Sequence, residues 1–199
     1  FRKSNKSIKV GQLANAVSNK TAYRHGEDSL AEALVNMAQN FVGANNINLL
    51  VPEGNFGTRE ENGNNSSSVR YIYTKLEKLT NLIYRKEDLP IYNYLDDDGQ
   101  LIEPECFSPI IPMILINGSI GIGTGYSTNV PQYNPIEVIE ALERRLNNQT
   151  DGPEETDLQP WYRGFQGKIT PYQNGYMCTG VYQIGFDKVT VTEFPINCN

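Results

Sequence analysis

The sequence has one histidine, one tryptophan and three cysteines among 199 residues. A lone histidine, His25, cannot build a zinc site. Cys106, Cys178 and Cys198 lie far apart, with no Cys-x-x-Cys pair, so neither a zinc knuckle nor a disulfide framework is indicated. Reduced thiols in an intracellular protein fit that pattern. No apolar run is long enough to cross a bilayer; the longest, Ile110 to Ile116, is interrupted by Pro112. No apolar segment follows the charges of Phe1-Arg2-Lys3-Ser4, so the start does not read as a signal peptide. The chain also begins without Met, which suggests an excised fragment. The phosphate-loop ending Gly-Lys-Ser/Thr is missing.

An excess of positive charge is missing too. The net charge of −6 argues against a nucleic-acid partner when taken alone. Its distribution argues the other way. Arg2, Lys3, Lys6, Lys9, Lys20 and Arg24 gather early, and Arg70, Lys75, Lys78, Arg85 and Lys86 form a second group. The acids lie elsewhere, at Asp96-Asp97-Asp98, Glu103, Glu105 and from Glu137 to Asp157. Such local cations suit DNA phosphates, although ordinary surface scatter gives the same tally. The 39% apolar content is enough for a folded core, in one or two domains.

Helical spacing of Val10, Leu13, Ala14 and Val17 predicts a helix capped by Ser7 and broken at Ser18-Asn19-Lys20-Thr21. Ser29-Leu30-Ala31-Glu32 reads as a capping box opening a second helix. Its apolar face is Leu30, Leu34, Met37, Ala38 and Phe41, with Gly43 placed to end it. Its polar face, Glu32, Asn36, Gln39 and Asn40, suits either solvent or DNA. Ile47 to Val51 reads as a strand, and Pro52 to Ser68 as a long Gly/Asn/Ser-rich loop. A loop of that length in a compact domain is functional or mobile. A strand at Tyr71-Ile72-Tyr73 and a helix carrying Leu76, Leu79, Leu82 and Ile83 follow. Helix, turn, helix, strand, long loop, strand is the order of a winged helix, and of other small α+β domains. Further on come a turn at Asp96 to Gly99, a buried strand at Ile110 to Ile116 and a helix from Pro135 to Leu146. An acidic loop spans Asn147 to Gln159, and the remainder reads as a β-meander.

The glycine run Gly118 to Gly125 invites a nucleotide-binding reading. No helix follows it, as a phosphate cradle requires, so close backbone approach to a partner explains it better, with Ile122 held between two glycines. Three consecutive aspartates do not converge on a metal without an unusual loop. Arg70-Tyr71 closes the long polar loop. A tyrosine can act as a covalent nucleophile, but a free phenol ionises only near pH ~10, so it needs a base or a strong positive field. Arg70 could stabilise charge on a phosphoryl group, and His25 could move a proton. Neighbours on a regular strand point to opposite faces, so Arg70 can assist Tyr71 only where the backbone is irregular.

Several strings, in order along the chain, resemble the breakage-reunion region of eukaryotic-type type IIA DNA topoisomerases. They include Lys9-Val10-Gly11-Gln12-Leu13-Ala14, Tyr23-Arg24-His25-Gly26-Glu27 and Ala38-Gln39-Asn40-Phe41-Val42-Gly43-Ala44-Asn45-Asn46. Gly54-Asn55-Phe56-Gly57-Thr58-Arg59, Arg70-Tyr71-Ile72-Tyr73-Thr74-Lys75-Leu76 and Glu103-Pro104-Glu105 follow. So do Ile110 to Gly118, Gly121-Ile122-Gly123-Thr124-Gly125, Trp161 to Phe165 and Glu193-Phe194-Pro195. The resemblance implies that Tyr71 attacks a DNA phosphate, with Arg70 and His25 assisting. It implies that Ile122 wedges into the DNA and that Lys9 and Arg24 contact it. The implied fold is α+β: a winged-helix DNA-cleavage domain lacking its N-terminal part over residues 1–108, then a partial tower domain over 109–199. The implied parent is a nuclear (or viral) ATP-dependent homodimer acting on double-stranded DNA. Its Mg2+ and ATP are held by domains outside this chain, so no cofactor or metal residue is expected here. No membrane association is expected. Two departures stand out. Arg24 replaces the first of two family histidines, and Val69 precedes Arg70 where a small residue or proline is common. A non-catalytic winged-helix module that binds or shapes DNA is the alternative, and the isolated fragment is expected to be inactive.

Overall fold

The structure is a computed structural model, which describes residues 6–23, 26–148, 158–173 and 175–198. It is a mixed α/β chain whose contacts fall into two compact units. The first contains residues 1–40 and 48–110; the second contains 41–47 and 111–199.

In the first unit, β1 (Ile8–Lys9) leads directly into α1 (Val10–Thr21), and α2 (Glu27–Ala38) follows. β2 (Leu50–Glu53) and β3 (Tyr73–Leu76) complete an antiparallel sheet in the order β1-β3-β2. The apolar faces of α1 and α2 close over this sheet. Val10, Leu13, Ala14, Ala31, Leu34, Val35, Ala38, Leu50, Phe56 and Ile72 form one buried cluster. α3 (Lys78–Ile83) is tied to the strand entry by the Thr80 hydroxyl, which donates to the Leu49 carbonyl at 2.7 Å. The hairpin of β4 (Tyr94–Asp97) and β5 (Gln100–Pro104) ends the unit. Its turn places Asp98 and Gly99 at positive φ, and the Asp96 carboxylate accepts from the Gly99 amide, as the aspartate run led one to expect.

Helix starts differ from the sequence expectation. Ser7 does not cap α1. The N-cap is Lys9, because β1 pairs with β3 up to that residue, and Ser7 hydrogen-bonds Glu53 instead. α1 also runs through Ser18 to Thr21 before Ala22 turns it off in the left-handed region. The capping box at Ser29 does not form. α2 begins two residues earlier, after Gly26, so Ser29 is already helical and its amide bonds to the Gly26 carbonyl. α2 ends at Ala38, leaving Phe41 outside it. On α3, Thr80 and Ile83 face inward while Leu79 and Leu82 are exposed.

In the second unit, Ile110 to Ile116 does not make a strand. Pro112 caps a short helix, α4 (Met113–Asn117), with the Leu115 and Ile116 amides bonded to the Pro112 carbonyl. An apolar run alone does not separate strand from helix. Burial does: Ile111 and Ile116 are inside while Ile114 is out, which is not a period of two. β6 (Ser119–Gly123) and β7 (Tyr126–Val130) form a hairpin, so the glycine run is a strand and its turn. α5 (Pro135–Leu146) matches the expected bounds, with Asn134 capping and proline at its first turn. Val138 and Ala141 pack it inward, as Ile116 packs α4. The end of the chain is two separate hairpins rather than one meander: β8 (Lys168–Tyr172) with β9 (Gly175–Thr179), and β10 (Val181–Ile184) with β11 (Val189–Glu193). Most of the acidic loop lies outside the described residues.

Asn46 organises this unit. It is buried, and its amide nitrogen donates to the carbonyls of Ile116, Tyr133 and Trp161 at 3.0–3.1 Å. Its side-chain oxygen accepts from the Arg163 amide at 2.8 Å. Asn117 makes two reciprocal bonds with the Ile47 backbone, and Gln132 donates to the Ala44 carbonyl at 2.7 Å. One short segment, 43–47, therefore joins α4, the β7–α5 connection and the stretch around Trp161.

Candidate functional site

Tyr71 does not belong to a strand. Residues 68–71 form a turn closed by the Tyr71 amide donating to the Ser68 carbonyl at 2.8 Å, and β3 begins only at Tyr73. The irregular backbone that Arg70 needs is therefore present. Both side chains are exposed, Tyr71 to 72%.

An exposed turn is held only as well as its flanks, and these flanks are held at three points. The first amides of a helix have no partner inside the helix. In α1 they are spent on this turn: Val10 donates to the Ile72 carbonyl at 3.1 Å and Gly11 to the Val69 carbonyl at 3.0 Å. The two acceptors bracket Arg70 and Tyr71, and the positive end of the α1 dipole faces the turn, which favours a nearby anion. Ile72, only 2% exposed, anchors the turn in the core. Gly54 makes room for it: at φ +117° it has no side chain, and a Cβ there would sit 2.9 Å from the Ile72 Cγ2.

The long loop before the turn is ordered rather than slack. Asn55 donates to the Asn65 carbonyl at 2.9 Å, the Asn65 side chain accepts from the Thr58 amide at 2.8 Å, and the Ser67 amide returns to the Asn55 carbonyl at 3.0 Å. Gln39 reaches into its centre and donates to the carbonyls of Phe56 at 2.9 Å and Gly63 at 3.2 Å. The sequence placed Gln39 on a polar face with Glu32, Asn36 and Asn40. Those three are exposed, but Gln39 is buried, because α2 stops at Ala38 and the chain turns inward.

Beside the turn lies the outer face of the sheet. Lys9 pairs across from Tyr73, its ammonium 5.9 Å from the ring centroid, a cation–π distance. Lys75 and Glu53 form an ion pair at 2.8 Å. Hydrogen bonds from the Lys75 ammonium and the Ser7 hydroxyl hold the Glu53 carboxyl below its ordinary value. Lys9 thus shares a surface with the strand that leaves Tyr71. Arg24 and His25 lie outside the described residues.

In the second unit, Ile122 stands one residue before the end of β6, at the tip of the β6–β7 hairpin, and is 93% exposed. Gly121 and Gly123 flank it on the opposite face of the strand. Gly123 is covered by the Tyr126 ring, whose Cζ a Cβ would meet at 2.7 Å, while Gly121 is bare. The hairpin tip is thin, and it presents an isoleucine where solvent should select a polar side chain. Sequence reasoning singled out Tyr71, Arg70 and Ile122 but missed the positioning residues Gly54 and Gln39. A glycine between Glu53 and Asn55 reads only as loop chemistry, and nothing in the spacing says that Gln39 turns inward. Among the described residues, no group of three or more His, Cys, Asp or Glu could hold a metal ion, and no helix is long and apolar enough to cross a membrane.

A family model for DNA gyrase/topoisomerase IV matches residues 1–199. The chain is 47% identical over 195 residues to the mitochondrial DNA topoisomerase 2 of Dictyostelium discoideum, covering 98% of this chain and 15% of that protein. It is 46% identical over 198 residues to DNA topoisomerase 2 of Saccharomyces cerevisiae, covering 98% of this chain and 14% of that one. Among solved structures, it is similar to the DNA-binding, cleavage and re-ligation domain of Plasmodium falciparum topoisomerase II. The TM-score there is 0.92 at 44% identity, covering 98% of this chain and 26% of that one. The chain thus spans about one seventh of the length of the two curated relatives.

Proposed function

The chain belongs to the DNA gyrase/topoisomerase IV family, and we propose that it is the strand-cleaving part of a type IIA DNA topoisomerase in which Tyr71 is the nucleophile. The observation that carries this reading is the Tyr71 turn: an exposed phenol on a backbone fixed by the first amides of α1 and by buried Ile72. A nucleophile must be accessible to its substrate and still be held in place.

In this reading the Tyr71 oxygen attacks a DNA phosphorus and the bond from phosphorus to the 3′-oxygen breaks. The phosphate, still on the 5′ end, becomes a tyrosyl phosphodiester, and the departing oxygen takes up a proton. Arg70, in the same turn, neutralises charge growing on the phosphoryl oxygens. His25 accepts or relays the phenolic proton. One phosphodiester is exchanged for another, so resealing is the same step in reverse. Lys9 and Arg24 bind backbone phosphates, and Ile122 enters the base stack and bends the duplex. The first unit serves as the winged-helix domain and the second as the start of the tower, with the domain boundary near residue 108. The parent is a nuclear homodimer that passes one duplex through a staggered break in another and uses ATP. Magnesium assists such phosphoryl chemistry as a Lewis acid. The described residues of this chain do not offer a carboxylate cluster that fits it, and no step here is assigned to the ion.

The test is covalent trapping. The full-length protein is incubated with nicked duplex and magnesium, then denatured. A protein–DNA adduct is expected from wild type and none from Tyr71→Phe. An adduct that persists in Tyr71→Phe removes the nucleophile assignment. No adduct from wild type favours a module that only binds or shapes DNA.

A further inference from the structure

The β6–β7 hairpin exposes a second isoleucine in the same direction as the first. Ile120 precedes Ile122 by two residues on one strand, so both project from the same face, about 6.6–6.8 Å apart. Ile120 is 72% exposed. The register completes that face: Ile120 lies opposite Asn129 and Ile122 opposite Ser127, and both partners are exposed. An apolar column thus runs beside a column of small hydrogen-bonding side chains. The other face, with Gly121 bare and Gly123 under the Tyr126 ring, has no such pattern.

That arrangement matches the minor groove in chemistry. Groove walls are deoxyribose, which is largely apolar, and the floor presents base acceptors that a hydroxyl or amide can address. A single exposed isoleucine on a surface needs no explanation. Two in register at a glycine-thinned tip, one of them already assigned to the base stack, share an occupant. Ile122 is nearer the turn and enters first; Ile120 follows and meets the sugars behind the opened step.

Resting on the wedge reading of Ile122, we propose that Ile120 is a second apolar contact of this hairpin, which packs against the minor-groove sugars and holds the bent state of the DNA. It makes no phosphate contact. Its loss therefore weakens bending without changing how affinity depends on salt, because that slope counts released counterions.

The experiment uses the full-length protein and a short duplex with a fluorescence-transfer pair at its ends. Ile120→Thr keeps a β-branched residue in the strand and removes the apolar surface. The ratio of bent to unbent complex is expected to fall about five- to tenfold. The salt slope and thermal stability should match wild type, and Ile120→Val should restore most of the bending. Bending equal to wild type in Ile120→Thr, while Ile122→Ala is impaired, overturns the Ile120 assignment and leaves the wedge intact. A fall in thermal stability without a change in bending also overturns it, and shows that Ile120 packs on protein. Normal bending in Ile122→Ala sinks the wedge reading itself, and the Ile120 proposal with it.

Discussion

Gln39 offers the most demanding check on how the Tyr71 turn is held. Its side-chain nitrogen serves the Phe56 and Gly63 carbonyls, and no other residue type of that size can donate twice in this way. In Gln39→Ala both acceptors lose their donor inside the loop, at about 1 kcal/mol each, and the space left behind adds a further increment. The loop should be less stable by about 2–3 kcal/mol. Gly63 supplies a second arm. It sits at φ +79°, and a Cβ there would overlap the Gln39 side-chain nitrogen. Gly63→Ala therefore suffers both a backbone penalty of about 1–2 kcal/mol and a clash. In the Gln39→Ala background the clash disappears and only the backbone penalty remains. The double variant should be less damaged than the sum of the singles by about 1 kcal/mol or more. Amide exchange at Gly63 and Ser67 reads this out locally, since both amides bond within the loop. Exchange in Gln39→Ala should accelerate about 30- to 150-fold, the equivalent of 2–3 kcal/mol of lost protection. Strict additivity, or exchange within about twofold of wild type, would refute the idea that Gln39 bolts the loop shut.

Three further outcomes follow from the same structure. Asn46→Asp sets a carboxylate against three carbonyls, so unfolding of the second unit, followed by urea titration, should shift to lower denaturant by the equivalent of about 3–5 kcal/mol. Glu53 has a folded pKa below its ordinary 4.5, so its pairing with Lys75 stabilises fully above that value and fades as pH falls through the folded value. The stability gap between wild type and Lys75→Met should therefore be present at neutral pH, small as befits a surface pair, and close in acid. Tyr71→Phe removes one hydroxyl from a largely exposed ring, so its melting temperature should stay within about a degree of wild type. A large drop there would mean that the phenol is structural.

How much was legible beforehand depended on whether the signal was local. The helix from Pro135 to Leu146 carries its cap, its first-turn proline and its periodicity in one stretch, and it was readable to the residue. The aspartate turn was readable for the same reason. Ser29 shows the limit: a good local cap lost to Gly26, because packing of Ala31, Leu34 and Ala38 set the helix in place and let it extend backwards. Ile110 to Ile116 failed because an apolar run says that something is buried, not in which conformation. At the site, Tyr71 and Arg70 stood out only through whole strings of neighbouring residues. The irregular backbone between them is made by α1, some sixty residues earlier in the chain, and no local pattern around position 70 encodes it. Gln39 and Asn46 were visible as residues, but their roles depend on long-range partners.

The central claim concerns one oxygen atom, and a peptide map tests it. Adduct trapped on the full-length protein is digested with nuclease and trypsin, which cuts after Arg70 and Lys75 and releases Tyr71-Ile72-Tyr73-Thr74-Lys75. Fragmentation of that peptide distinguishes its two tyrosines. The account requires the nucleotide on Tyr71, linked through a 5′-phosphate. A nucleotide on Tyr73, on a tyrosine elsewhere in the protein, or linked through a 3′-phosphate would contradict it.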